Sequence, residues 1–257
     1  MKLLVTGASG VLGREVLLAA RSVGMPVRAM SRRPPAGHTE GEEWVQGDLV
    51  TGQGIGEAVR GCDTIVHAAS DPRQPDRVDV QGTRRLADEA GRAGVRHLVC
   101  VSIVGVDQVP YPYYKRKLAA EQIVSQANVP FSILRATQFH SFLEQLIASA
   151  ARVPLVLPVP AGFVVQPVEV SEVAERLVRC IADGPRGRLT DFGGPDVLSF
   201  TEAARHWKKA RNVAKRIVPI PVPGSMARAI RAGKGTAPLG DKGTISWPEW
   251  LMQTRDK

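Results

Sequence analysis

Two tyrosine–lysine pairs in this 257-residue chain have the spacing that proton chemistry needs. Tyr113 and Lys117 stand four residues apart, as do Tyr111 and Lys115, and on a helix either pair shares one face. An ammonium beside a phenol, together with the positive nicotinamide of a bound cofactor, favours the phenolate, so the tyrosine's ordinary pKa of about 10 is expected to fall. Such a tyrosine can act as general acid or base near neutral pH. The spacing by itself shows only co-facial residues and leaves the register open. Ser102, at the end of an apolar run 11 residues before Tyr113, adds a hydroxyl.

A second constellation opens the chain. Thr6-Gly7-Ala8-Ser9-Gly10-Val11-Leu12-Gly13 follows an apolar run and begins a helical pattern. Gly7 permits a tight turn, Gly10 lets backbone approach a diphosphate, and Gly13 lets helix and strand pack closely. The helix N-terminus adds N–H donors and positive partial charge. In this context the loop is expected to bind a dinucleotide through Gly7, Ser9, Gly10, Val11, Leu12 and Gly13. The next apolar run ends Ser31-Arg32-Arg33, and no carboxylate occurs from Pro26 until Glu40. An acidic residue there would select NAD(H) by its ribose hydroxyls; guanidinium groups instead suit a 2′-phosphate. We therefore expect NADP(H) in preference to NAD(H). Arg32 is the main phosphate ligand, Arg33 stacks or assists, and Ser31 adds a donor.

The elements that must position these residues alternate. Lys2–Thr6, Pro26–Ser31, Trp44–Gln46, Thr64–His67, His97–Ser102 and Pro130–Arg135 read as strands, rich in aliphatics without clean alternation, as in parallel strands covered on both faces. Val11–Ser22, Gly54–Val59, Arg77–Ala93 and Tyr113–Ala127 read as helices between them. This predicts an α/β fold with a doubly wound, Rossmann-type parallel sheet and right-handed crossovers. Beyond Arg135 the pattern loosens. Phe139–Arg152, Ser171–Asp183 (with Ser171 as N-cap) and Ser225–Ala232 read as helices, and Ser199-Phe-Thr-Glu202 as a capping box opening a helix to about Lys209. Arg188–Phe192 reads as a strand and Pro219–Pro223 as a loop, while the prolines of Val153–Pro160 exclude a central strand. We expect a dinucleotide-binding part over 1–152 and a smaller substrate-side lobe over 153–257, within one continuous structural domain.

TGASGVLG, with its Gly-x2-Gly-x2-Gly spacing, resembles the fingerprint of the extended and atypical short-chain dehydrogenases/reductases. Gly47-Asp48-Leu49, His67-Ala68-Ala69-Ser70, Gln81-Gly82-Thr83 and Tyr113 to Lys117 extend the match over nearly the whole chain. Leu134-Arg-Ala-Thr-Gln-Phe-His140 and Gln166-Pro-Val-Glu-Val-Ser-Glu-Val-Ala174 bring it nearest the NmrA-like, NAD(P)H-binding group. The resemblance implies adenine contacts at Asp48 and Leu49 and ribose contacts at His67, Ala68, Ala69 and Ser70. It implies Tyr113 as proton donor, Lys117 on the nicotinamide ribose and Ser102 on the substrate oxygen. Lys117-Leu-Ala-Ala-Glu121 matches the family's helix, which favours this register, as does Pro112, which the other register would bury in the helix. Where extended members often carry asparagine before the glycine–threonine pair, this chain has Asp79. The implied activity is hydride transfer to a small carbonyl, quinone or conjugated acceptor. Two rivals share the same residues: a non-catalytic redox sensor that reads NADP(H) and acts on a protein partner, and a sugar-nucleotide epimerase.

Composition excludes other classes. With 44% hydrophobic and 23% charged residues the chain is too apolar for disorder, and it has no apolar run long enough to span a membrane. Three cysteines, Cys62, Cys100 and Cys180, without a CxxC, give neither a disulfide framework nor a cysteine zinc site. Asp71, Asp76 and Asp79 do not group with histidines, so no metal is expected. The apolar start at Met1 is broken by Gly7, Gly10 and Gly13 before it forms a signal peptide, and a cytoplasmic location is expected. The +9 charge is local: 203–240 holds nine basic residues, from Arg205 to Lys234, and no acidic one. That patch is a solvated face or an anion-binding surface; no nucleic-acid recognition motif accompanies it. His140 reads as a structural histidine near the cleft, Trp247 and Trp250 as a staple for the tail, and Glu169 and Glu172 as helix-dipole partners. Flanking helices pair in relatives, so a homodimer is an option.

Overall fold

The structure, a computed structural model, describes residues 1–35 and 42–254; Glu40, the first carboxylate after Ser31, lies outside the described residues. Along the chain run β1 (Leu3–Thr6), α1 (Val11–Ser22), β2 (Val27–Ser31), β3 (Glu42–Gln46), α2 (Ile55–Val59) and β4 (Thr64–His67). A widened π-type turn, Asp76–Gly82, leads into α3 (Thr83–Arg92). Then come β5 (His97–Ile103), α4 (Pro112–Gln126), β6 (Phe131–Ala136), α5 (His140–Ala150), β7 (Val156–Pro160), β8 (Val164–Val165) and α6 (Val170–Asp183). The last stretch holds β9 (Gly187–Arg188), β10 (Phe192–Gly193), β11 (Leu198–Ser199), α7 (Phe200–Ala210), β12 (Arg216–Ile220), α8 (Ser225–Arg231), β13 (Asp241–Lys242) and α9 (Trp247–Gln253).

The chain forms two compact units. The first comprises 1–102, 112–135 and 170–189. Its parallel sheet runs β3-β2-β1-β4-β5-β6, with β9 beside β6. β1 is buried throughout because it has a parallel neighbour on each edge: Leu3 lies opposite Val27 on one side and Thr64 on the other. The strand order reverses between β1 and β4, which is the switch point where open α/β sheets bind ligands. This is the doubly wound fold expected from the sequence. One core cluster gathers Leu4, Met30 and Ile65 from the sheet with Ile55, Leu86 and Val124 from the helices. α6 packs along α1, so a late helix completes this unit.

The second unit comprises 103–111, 136–169 and 190–257. Its core joins Leu143 and Ile147 of α5 to Leu157, Phe200, Trp207, Trp247 and Trp250. β7 pairs in parallel with β12, and β8 antiparallel with β11. Here the sequence reading needs correction. Pro219, expected in a loop, lies inside β12. The expected strand Arg188–Phe192 is broken into β9 and β10. Ser171 lies inside α6, which starts one residue earlier, within the usual spread of helix ends. Ser199 does cap α7, accepting the Glu202 N–H at 3.1 Å. The reciprocal capping box is at Ser246 and Glu249, opening α9, where the tail was expected only to staple.

One buried ion pair ties two elements of the first unit. The guanidinium of Arg135 in β6 grips both carboxylate oxygens of Glu121 in α4 at 2.8 and 2.7 Å, and both side chains are almost fully buried. Removing one partner strands a charge in a site without water. Arg135→Met should therefore lower unfolding free energy by about 3–5 kcal/mol in urea titrations, and adding Glu121→Leu should restore most of it. Equal stability of Arg135→Met and the parent protein would contradict this account of the pair.

Candidate active site

The β1–α1 loop lies at the switch point of the first unit. Gly7 has φ +67°, and a Cβ there would come within 2.6 Å of Ala69 Cα, so the turn is pressed against the chain leaving β4. A Cβ on Gly13 would meet Gly7 O at 2.1 Å, so α1 begins hard against the same turn. Gly10 caps α1 with no side-chain hydrogen bond. The start of α1 thus has no side-chain cap on its N–H groups, which suits a diphosphate there.

A cleft of about 200 Å³ opens over this loop. Of the expected cofactor residues, it is lined by Gly7, Ser9, Gly10, Ser31, Arg32, Asp48, Leu49, Ala68, Ala69 and Ser70. Ser9 Oγ lies 3.1 Å from Ser31 Oγ, and Ser31 Oγ also accepts the Arg33 N–H at 3.3 Å, so the end of β2 is tied to the loop. Arg32 and Arg33 are exposed, and among the described residues no carboxylate pairs with either. Asp48 Oδ1 accepts the Val50 N–H at 2.8 Å, fixing its own turn.

Other expected residues lie behind the cleft wall. Leu12 and Gly13 are buried in α1, and Val11 is exposed at its start. His67 is 4% exposed and its ring is spoken for: Nδ1 lies 2.7 Å from Thr6 Oγ1 and Nε2 lies 2.9 Å from Thr83 Oγ1. Burial, then the nearby Lys117 charge, pushes its pKa down to about 3, so it stays neutral and braces β1, β4 and α3. Gly47, next to Asp48 in the segment the resemblance pointed to, lines the cleft too, and Met30, Val50, Asp71 and Val78 do so without having been anticipated. Val78 comes from the π-type turn, where the sequence reads as ordinary helix. Of the residues singled out elsewhere, His140 is fully buried in the second unit, with Nε2 3.1 Å from Ile245 O and its ring stacked on Trp247.

The tyrosine–lysine pair forms a network with the cleft wall. α4 begins at Pro112, the first helical position, where a missing N–H costs nothing. Tyr111 precedes the helix and Lys115 points outward, both exposed. Tyr113 is half-buried, and its hydroxyl lies 2.6 Å from Ser70 Oγ. Ser70 Oγ donates to Asp79 Oδ1 at 2.5 Å, and the Asp71 N–H reaches Asp79 Oδ2 at 3.2 Å. Lys117, 7% exposed, donates to Val101 O at 3.0 Å and stands 3.5 Å from Asp79 Oδ1. Ser102 is buried beside it in β5, and its Oγ has no hydrogen-bond partner among the described residues.

The protein's own groups move the Tyr113 phenol pKa upward. Burial raises the Tyr113 pKa more than the Lys117 charge lowers it, and the negative charge of Asp79 adds to the rise. Tyr113 is thus held as the neutral phenol, a proton donor. Burial disfavours the Lys117 ammonium, but Cys100, Asp79 and Tyr113 around it outweigh burial and raise its pKa. The Cys100 thiol is itself pushed up to about 11 by burial and carries no charge at neutral pH. Asp79 is then the partner that keeps the ammonium charged.

Residues 7–183 match the model of a family described as NAD(P)H-binding. A reductase from Streptomyces griseus, the (4-alkanoyl-5-oxo-2,5-dihydrofuran-3-yl)methyl phosphate reductase, is 31% identical over 205 residues, 78% of this chain and 70% of that one. A 4-hydroxy-2-methyl-3-oxo-4-farnesyl-3,4-dihydroquinoline-1-oxide ketoreductase from Stigmatella aurantiaca is 31% identical over 238 residues, covering 78% and 71%. Among solved structures, a short-chain dehydrogenase/reductase superfamily protein from Agrobacterium tumefaciens with bound NAD aligns with a TM-score of 0.75 at 22% identity, covering 99% of this chain and 96% of that one. At that identity it speaks for the fold alone.

The state of His67 has a consequence for stability. The unfolded chain takes up a proton near the ordinary value of about 6.5, while the folded chain refuses it down to about 3. The stability owed to a neutral His67 is complete above about 6.5 and is lost as pH falls toward 3. Between about pH 7.5 and about pH 5 this amounts to about 2 kcal/mol. Urea unfolding at the two pH values should show a correspondingly smaller loss in His67→Gln than in the parent; equal losses would refute a neutral buried His67.

Proposed function

The chain belongs to the atypical short-chain dehydrogenases/reductases, in the NmrA-like NAD(P)H-binding group, and on that premise we propose that it is an NADPH-dependent reductase of a small carbonyl, quinone or conjugated acceptor. The observation that carries this reading is the neutral Tyr113 hydroxyl, one hydrogen bond from Ser70 on the cleft wall and backed by the buried Lys117 ammonium. The bare glycine cradle fits a dinucleotide diphosphate. Gly7, Ser9 and Gly10 face it, Val11, Leu12 and Gly13 shape the helix start behind them, and Asp48, Leu49, Ala68, Ala69 and Ser70 wall the adenosine and ribose side, with His67 bracing that wall. The bound dinucleotide supplies a hydride.

An acceptor reduced in this cleft gains negative charge on oxygen, and Tyr113 donates the proton that quenches it. The Lys117 ammonium favours that developing charge at no cost of reorganisation, being already fixed by Val101 and Asp79. Ser102 offers the acceptor oxygen a buried hydroxyl with no hydrogen-bond partner among the described residues. The reductase names of the two relatives support reduction as the direction.

Preference for NADPH rests on Arg32, a cleft residue whose guanidinium can take a 2′-phosphate, with Arg33 and the Ser31 hydroxyl beside it. Calorimetric titration should show Arg32→Ala weakening NADPH by roughly tenfold or more while leaving NADH nearly unchanged, the expected loss of one charge-assisted contact. Equal affinity of the parent protein for the two dinucleotides would refute the assignment.

Reduction itself is tested with a panel of quinones, aldehydes and enones. Tyr113→Phe should cut NADPH oxidation by about a hundredfold or more with little change in NADPH affinity. Undiminished turnover would remove Tyr113 from the mechanism, and tight binding of NADPH with no turnover of any acceptor would select the sensor reading.

A further inference from the structure

In the second unit, the turn between α5 and β7 holds aliphatic side chains outward at a cost. Val153 and Leu155 are 41% and 87% exposed, and Pro154 between them is exposed as well. Leu155 has φ +64°, in the left-handed region that favours glycine. Across it the Val156 N–H donates to Pro154 O at 2.7 Å, which closes a γ-turn on Leu155. A γ-turn with positive φ at its centre is the rare, strained form. The Lys215 ammonium braces the turn by donating to Ala151 O and Val153 O. Three apolar side chains in succession are thus fixed on a projecting turn, although the core lies close by: Leu157, two residues on, is fully buried.

The charge around this turn has one sign. Arg152 opens it, and Arg216, at the start of β12, lies opposite Val156, the residue after Leu155. Both arginines are exposed, and among the described residues neither has a carboxylate partner. Lys215 adds a third cation, held on carbonyls and not on an acid. No carboxylate occurs in 145–168 or in 203–240, the two stretches that supply β7 and β12. Glu144, just before the first stretch, is taken by Arg211 at 2.7 Å.

We propose that this turn docks the protein on the surface of an anionic phospholipid bilayer. Leu155 and Val153 enter the acyl boundary, and Arg152, Lys215 and Arg216 meet headgroup phosphates. Such a bilayer offers negative charge at one depth and apolar volume just beneath it, the complement of a strained aliphatic turn ringed by cations. A folded protein partner needs a broad matching area, whereas a bilayer admits a single turn. Two aliphatic side chains and three cations give a weak, reversible attachment that strengthens with the density of anionic lipid. The inference stands apart from the reductase reading and does not depend on it.

The test is sedimentation of the full chain with vesicles of phosphatidylcholine mixed with phosphatidylglycerol, and with vesicles of phosphatidylcholine alone. Binding to the mixed vesicles should be about tenfold or more tighter than to phosphatidylcholine and should fall steeply with added salt. Leu155→Gly removes the aliphatic group and suits the positive φ, so it should resist urea at least as well as the parent while binding the mixed vesicles about fivefold or more weakly. Arg152→Gln combined with Arg216→Gln should weaken binding by about tenfold or more. Leu239, 98% exposed on another turn with Asp241 nearby, serves as the control, and Leu239→Ser should bind as the parent does. No binding to the mixed vesicles at low salt overturns the proposal. So does equal binding to the two vesicle types, a Leu155→Gly protein bound as tightly as the parent, or an equal loss in Leu239→Ser. If the parent self-associates in solution and Leu155→Gly makes it monomeric, the turn covers a second copy and the bilayer reading falls.

Discussion

A lysine ammonium almost out of reach of water is the constraint around which the first unit's site is arranged. Without partners Lys117 would lose its charge, since burial of an isolated ammonium costs several kcal/mol. Val101 supplies a carbonyl and Asp79 the countercharge. Asp79 can reach inward because the chain widens into a π-type turn before α3, and such turns recur where a helix serves a site. Thr83 steadies that turn by donating to Asp79 O at 2.5 Å, and the same hydroxyl meets His67. One buried charge thus links β4, β5, the π-type turn and α4.

Burial, which spacing cannot show, is the largest influence on the phenol, and Asp79 offsets part of the field of the lysine four residues along. The sequence places Asp79 some distance upstream, and nothing in its local pattern says that it turns toward Lys117. Asp79 stood out only as a carboxylate where relatives often hold an amide. The spacing rightly grouped Tyr113 with Lys117; the third partner needed tertiary structure.

Elsewhere legibility followed local physics. The glycine loop and the strands around it were readable because each imposes its own short-range demand: positive φ at Gly7, no room for Cβ at Gly13, continuous aliphatic runs in strands buried on both faces. The residues lining the cleft from Val50 and Val78 were not, since their side chains carry no chemistry and only the fold brings them to one wall. In the second unit, strands of two residues such as β8, β10 and β13 are too short to impose a period. The basic stretch proved partly structural: Arg211 reaches Glu144, Lys215 donates to Val153 O at 2.7 Å, and Arg231 donates to Val222 O at 3.0 Å. Those three cations hold loops and helix ends together.

The prolines of the β7–β12 ribbon carry a different lesson. Among the described residues these strands pair only with each other, so each has an outer border that resembles an invitation to a further strand. Pro158 and Pro160 occupy alternate positions of β7, opposite Val218 and Ile220. Lacking N–H groups, they belong on the border turned away from β12, and Pro219 does the same for its own strand. A neighbouring polypeptide that tried to zip onto either border would find its carbonyls unanswered, which guards the ribbon against self-association into fibrils.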